Sequence, residues 1–193
     1  MKINTSLFKI EIEWLLLTTI IVSIFSYKVK NYLSNYFICY IFILFHEMAH
    51  MFIGTICGAK VSKLKLSLAG VNVSFDKNIK NLDISKLKKI LIYLAGPISN
   101  FILASVFNNI KIVYEINIFL GILNLMPIYP LDGYNILKII NSNCNNKVQK
   151  IIFILFIIIS MIQIMLYKMF SFALFTLYLF LLSKMNKKCL NLS

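Results

Sequence analysis

Arginine is missing from this chain: all twenty basic residues are lysine. A phosphate-reading surface usually draws on the guanidinium fork, so the formal charge of +13 does not point to nucleic acid. Acids are scarce too, seven in 193 residues, and charged residues of both signs make up only 14% of the sequence. Soluble domains carry about a quarter. With 60% hydrophobic residues and a mean hydropathy of +0.82, this deficit excludes an ordinary soluble domain and indicates a membrane protein. The four cysteines, Cys39, Cys57, Cys144 and Cys189, form no CxxC pair. They read as small buried apolar residues in a reducing compartment rather than a disulfide framework or a thiolate metal centre.

What is present is a series of apolar segments. A bilayer core of about 30 Å needs roughly 20 apolar residues as helix, and candidate spans lie at 14–27, 36–58, 90–108, 112–128, 151–167 and 169–183. The first ends Phe25-Ser26-Tyr27-Lys28, without the small-residue site of a cleaved signal peptide, so it reads as a retained anchor. Residues 151–183 are too long for one upright helix and carry a polar break at Lys168; a hairpin of two spans is expected there. Placing loops alternately on two sides puts sixteen lysines on the side of the N-terminus and four, Lys28, Lys30, Lys111 and Lys168, on the other. The lysine-rich side is cytoplasmic by the positive-inside rule. The expectation is an all-α, multi-pass protein of the cell membrane, with about six transmembrane helices and both termini cytoplasmic. No repeat or long linker is visible, so 1–193 reads as a single membrane domain.

Two stretches have period two instead. Residues 7–13 alternate, and within 61–75 Leu64, Leu66 and Leu68, then Val71, Val73 and Phe75, flank Ala69-Gly70. This predicts a strand and a β-hairpin, a small sheet at the cytoplasmic rim of the membrane.

Both histidines of the chain and one of its seven acids fall in the apolar run LFHEMAHMFIG, residues 44–54. On a helix, His46 and His50 share a face, at a spacing that suits two ligands of one Zn²⁺, and Glu47 is placed to act as a base toward metal-activated water. An Asp, Lys or Arg at mid-membrane costs about 2.5–3.5 kcal/mol, and His and Glu are also disfavoured. A cluster of this kind is therefore functional rather than accidental.

Catalytic zinc sites usually have three protein ligands and an open position. The chain has no third histidine, which leaves Glu11, Glu13, Asp76, Glu115 and Asp132; Asp83 lies in a polar loop. Asp132 is set apart by its surroundings, Asn124-Leu125-Met126-Pro127-Ile128-Tyr129-Pro130-Leu131-Asp132-Gly133. Two prolines break the fourth span, and broken backbone at membrane depth is tolerated only where it is buried in protein or lines a wet cavity. Asp132 also falls on the same side as the histidines, whereas Glu115, the rival ligand, falls on the opposite one. Asn124 fits two roles, a donor to a substrate carbonyl or oxyanion and an interhelical packing amide. In a third motif, Ala95-Gly96-Pro97-Ile98-Ser99-Asn100, the residues read as a packing feature against the metal-bearing helix, with no catalytic role for Asn100.

HEMAH in the second apolar segment, AGPISN in the third and NLMPIYPLDG in the fourth together resemble the site-2 protease family of intramembrane zinc metalloproteases. The six-span layout is similar to the branch that includes stage IV sporulation protein FB. The resemblance covers most of residues 7–140, with the two C-terminal spans at 151–183 beyond it. It implies one Zn²⁺ per chain on His46, His50 and Asp132, Glu47 as the catalytic residue that activates water, and Asn124 as substrate or oxyanion support. It also implies cleavage of a membrane-embedded or membrane-associated protein near the cytoplasmic face, a sporulation sigma-factor precursor among the candidates, under restraint by membrane partner proteins. The segment after the acid reads Gly133-Tyr134-Asn135 where the family often has Gly-Gly-Arg, a departure that bears on substrate contacts. No CBS or PDZ domain is expected. The alternative reading is a membrane zinc transporter or metal sensor that uses the same residues without proteolysis.

Overall fold

The structure, a computed structural model, describes residues 2–4, 8–25, 27–68, 70–77, 79, 82–141, 145–167, 174, 176–181 and 183. The element order is β1 (Lys2–Asn4), β2 (Lys9–Ile12), α1 (Trp14–Phe25), α2 (Tyr27–Ile56), β3 (Val61–Ser67), β4 (Gly70–Phe75), α3 (Lys86–Val106), α4 (Lys111–Leu125), α5 (Asp132–Ile140) and α6 (Asn145–Tyr167). They fall into two compact units, Met1–Leu123 and Asn124–Ser193.

In the first unit the period-two stretches form one four-stranded sheet in the order β1-β2-β3-β4. The expected hairpin is β3 and β4, antiparallel with Leu64 opposite Val73 and Leu66 opposite Val71. Leu64 and Val71 are buried while Asn72 is exposed, as alternation requires. Gly70 has φ +138° at the hairpin turn, a backbone state that a side chain would strain. β2 runs parallel to β3, a pairing that needs a long crossover; α1 and α2 supply it. The alternation of β2 sets Glu11 and Glu13 on one face, where they pair with Lys63 and Lys65 at 2.5 Å each. The Glu13 hydrogen bond holds the Lys65 ammonium above its usual range. Strand β1, three residues long, has no counterpart in the sequence reading.

Helix α2 runs through residues 28–35, which the span assignment treats as a loop, so Lys28 and Lys30 sit inside its first turns. Lysine is a good helix former, and nothing between 27 and 36 breaks a helix. At the other end, the Ala59 N–H donates to Gly54 O at 2.8 Å and the Gly58 N–H to Thr55 O at 3.0 Å, with Gly58 at φ +93°. That is a complete Schellman stop. Gly54 also lets the helix approach β4, since a Cβ there would lie 2.7 Å from the Phe75 ring. Helix α3 starts on Ser85, whose Oγ accepts from the Lys88 N–H at 3.3 Å, and it contains the buried Pro97. A Cβ on Gly121 of α4 would meet the Phe101 ring at 2.8 Å, so a glycine again brings two helices together.

Two helical stretches among the described residues, Tyr36–Ile56 and Lys86–Val106, are long and apolar enough to cross a membrane. Their outward faces carry exposed Phe45, Phe52 and Ile56 on α2 and Ile98, Ile102 and Val106 on α3, apolar surface suited to lipid. Of the six expected spans, α1 and α4 are shorter than a full crossing, at 12 and 15 residues. α4 ends at Leu125 rather than 128 because Pro127 follows. The expected turn at Lys168 and residues 169–173, 175 and 182 of the last expected span lie outside the described residues, while 174, 176–181 and 183 are helical.

In the second unit, Ile128 is fully buried against Phe153, Phe156 and Leu179. The chain at 126–131 is irregular and includes a cis peptide at Tyr129-Pro130. On α6, Ser160 Oγ donates to Phe156 O at 2.6 Å and lies 3.4 Å from Thr176 Oγ1. The apolar stretch of α6 spans Lys150–Ile162. Cys39 and Cys57 are free and half-buried, more open than the sequence reading has them; Cys144 and Cys189 lie outside the described residues.

Candidate metal centre

His46 and His50 are one helical turn apart on α2, and both are buried, at 4% and 7% exposure. Their Nε2 atoms are 3.1 Å apart, with the rings edge-to-face at 84°. Hydrogen-bond partners fix which ring nitrogen carries the proton. His50 Nδ1 lies 2.7 Å from Ile92 O; a carbonyl only accepts, so the proton is on Nδ1 and Nε2 keeps its lone pair. His46 Nδ1 lies 3.0 Å from Asn100 Oδ1, and the same logic leaves the lone pair on its Nε2.

Two ligands about 2.0–2.1 Å from a tetrahedral zinc are roughly 3.3–3.4 Å apart. The observed 3.1 Å lies close to that separation, so a small outward shift of the rings would let them share a divalent ion. Buried imidazole nitrogens are also the donor type that zinc takes.

Helix α3 makes room for this pair. A Cβ on Gly96 would lie 2.4 Å from His50 Nε2 and 2.5 Å from His46 Nε2, so only glycine allows the two ring edges to converge there. One turn later Asn100, fully buried, accepts from His46. Its Nδ2 is a buried donor with no partner among the described residues. The motif AGPISN is thus more than the packing feature read from the sequence: Gly96 does pack against the histidines, but Asn100 orients one of them. The signal was present in the spacing, because positions 96 and 100 share a helical face just as 46 and 50 do, and an amide in an apolar helix is costly without a partner.

Glu47 follows His46 on α2 and is half-buried. Asp132 and Asn124 belong to the second unit. Asp132 opens α5, where an acid suits the helix dipole, and it is half-buried, as is Asn124. Gly133 is dictated by its neighbours: a Cβ would lie 2.0 Å from Leu125 O, so the chain folds back on the end of α4 beside the acid. Other acids weighed as ligands are engaged elsewhere. Glu11 and Glu13 are in the sheet ion pairs, Asp76 is exposed, and Glu115 lies 3.8 Å from Lys111 on an exposed face.

Residues 35–114 match the family model described as peptidase family M50. A curated relative, zinc metalloprotease MJ0392 of Methanocaldococcus jannaschii, is 28% identical over 121 residues, covering 55% of this chain and 34% of that protein. The chain thus spans about a third of the length of the curated relative it matches. A solved structure, the site-2 protease from Methanocaldococcus jannaschii, superposes with a TM-score of 0.63 at 22% identity, over 96% of this chain and 94% of that one. The segment that carries the histidine pair thus matches the peptidase family M50 model, and the fold of the chain is that of the solved site-2 protease.

Proposed function

We propose that the chain is an intramembrane zinc metalloendopeptidase that cleaves a membrane-embedded or membrane-associated protein near the cytoplasmic face. The observation that carries this reading is the convergence of His46 and His50 Nε2 at 3.1 Å inside an apolar helix. His46, His50 and Asp132 would hold one Zn²⁺. Bound there, zinc would polarise a peptide carbonyl and lower the pKa of water to about 7. Glu47 takes the proton of the attacking water and returns it to the leaving amine. Asn124 donates to the substrate carbonyl. β4 is an edge of the sheet, and an unwound substrate segment can add to it as a further strand. The six-span topology with cytoplasmic termini, rooted in the lysine distribution, puts sheet and metal on the same side. Resemblance to the sporulation branch makes a sigma-factor precursor the first substrate to try, with membrane inhibitor proteins as regulators.

The test is co-expression with such a precursor, comparing wild type with Glu47→Gln and Asp132→Asn. Glu47→Gln should retain zinc and lose cleavage by at least about a hundredfold, while Asp132→Asn should lose both. Cleavage by Glu47→Gln would end the mechanism. Zinc flux in proteoliposomes that survives Glu47→Gln would favour the transporter instead.

A further inference from the structure

We infer that the end of the first unit where α2 stops and α3 begins is a docking surface for anionic lipid headgroups, held by Lys60, Lys77, Lys86 and Lys88. The surface is independent of the histidine pair and would be the same in a peptidase or a transporter.

Three stretches of chain meet there. His50 of α2 faces Ile92 of α3, and His46 faces Asn100. The two helices therefore run antiparallel, and the last turn of α2 lies at the same end as the first turn of α3. Lys60 follows the stop of α2. Its carbonyl accepts from the Asp76 N–H at 2.9 Å, which brings the end of β4, and Lys77 after it, to the same place. Lys86 and Lys88 open α3. All four lysines are exposed, and none is ion-paired among the described residues. Lys63 and Lys65, by contrast, spend their charge on Glu11 and Glu13. The exposed Asp76 and Asp83 lie in the same connection and offset only part of the positive charge.

Depth decides the partner. Helix α3 has 21 residues, Lys86–Val106, and at about 1.5 Å per residue it covers the roughly 30 Å of a bilayer core. Its first turn therefore sits where hydrocarbon gives way to phosphate. The exposed Leu87 stands between Lys86 and Lys88 with exposed Leu91 one turn on, and Phe52 and Ile56 of α2 are exposed at the same end. Such a mixed face suits an acyl chain beside the leucines and a headgroup beside the ammonium groups, which lysine stems can reach by snorkelling. An acidic protein segment would use the charge and leave the apolar neighbours without a partner. The first turn of α3 also contains lysines and no acid, an arrangement that the helix dipole disfavours, and an anion from outside the chain offsets it.

The one tryptophan of the chain, Trp14, is an exposed reporter elsewhere on the first unit. The Glu13 N–H beside it donates to Leu66 O, six residues along from Lys60, roughly 20 Å at strand spacing. The experiment reconstitutes the full chain in phosphatidylcholine vesicles containing a minority of phosphatidylglycerol, with one or the other lipid brominated on its acyl chains so that it quenches tryptophan. Trp14→Phe combined with Leu87→Trp moves the reporter between the lysines. At equal mole fraction, brominated phosphatidylglycerol should quench that reporter with about fivefold preference over brominated phosphatidylcholine, the gain of one lysine at an anionic surface. Trp14 in the native chain should show no preference. Replacing Lys60, Lys77, Lys86 and Lys88 together by glutamine should abolish the preference at position 87, as should high salt, which shortens the reach of each charge. Equal quenching by the two lipids at position 87 would overturn the inference and give the lysines to an acidic protein segment instead. So would a preference that survives the glutamine variant, or an equal preference at Trp14, which would mark a diffuse attraction rather than a site. If the glutamine variant does not insert, the two reporters and the salt series decide.

Discussion

At the scale of single residues, the centre depends on atoms that are absent as much as on those present. Gly96 has no Cβ, and the Nε2 atoms of both histidines lie within 2.5 Å of where one would be. Gly96→Ala should therefore split two quantities that usually move together. Alanine is favoured over glycine in a helix interior by about 1 kcal/mol, so α3 itself should not melt, although overpacking offsets part of that gain. The imidazoles must turn away, and zinc content measured after purification should fall well below one per chain. A Gly96→Ala protein with full zinc would mean that the rings have room the structure does not give them. The ligand types were legible in the sequence, since burying an HExxH pair in an apolar run is costly unless the imidazoles hold a metal. The hydrogen bonds at Nδ1 were not, because they reach 42 and 54 residues along the chain.

At the scale of elements, helix α2 is both the element that carries the histidine pair and the one with the most definite end. Its stop at Gly58, φ +93°, orients the hairpin that follows, and the Gly54–Phe75 contact seats β4 against the helix. Gly58→Ala puts a side chain into a left-handed conformation and should cost about 1–3 kcal/mol, read as a lower thermal midpoint, while zinc stoichiometry stays unchanged. Loss of zinc in that variant would show that the helix end and the site are coupled. The strands were readable because period two in a chain dominated by helix is a sharp contrast. Residues 28–35 were misread as a loop because two lysines in an otherwise apolar chain look like a boundary, though a helix continues through lysine without penalty.

At the scale of the whole molecule, a resident metal must appear in stability as well as in activity. Anything that binds the folded state and not the unfolded one stabilises it by mass action, about 4 kcal/mol at a thousandfold excess over Kd. Stripping zinc with a chelator should lower the apparent melting temperature in detergent, and readdition should restore it. Glu47→Gln should behave as wild type in this assay, and Asp132→Asn should show little response. Equal melting with and without metal in wild type would count against a resident ion. The exposed apolar faces of α2 and α3 make such measurements meaningful only in a lipid-like solvent.

By itself the sequence determined the solvent, the sheet and the donors: too few charges for water, alternation at 7–13 and 61–75, and two imidazoles and an acid in a greasy run. These follow from composition and period, which are local properties. The tertiary structure alone decided which carbonyl and which amide hold each imidazole, why position 96 tolerates no side chain, and that Glu11 and Glu13 spend their charge on Lys63 and Lys65. Those outcomes depend on which elements meet, and contacts between residues dozens of positions apart leave no periodic trace in the chain.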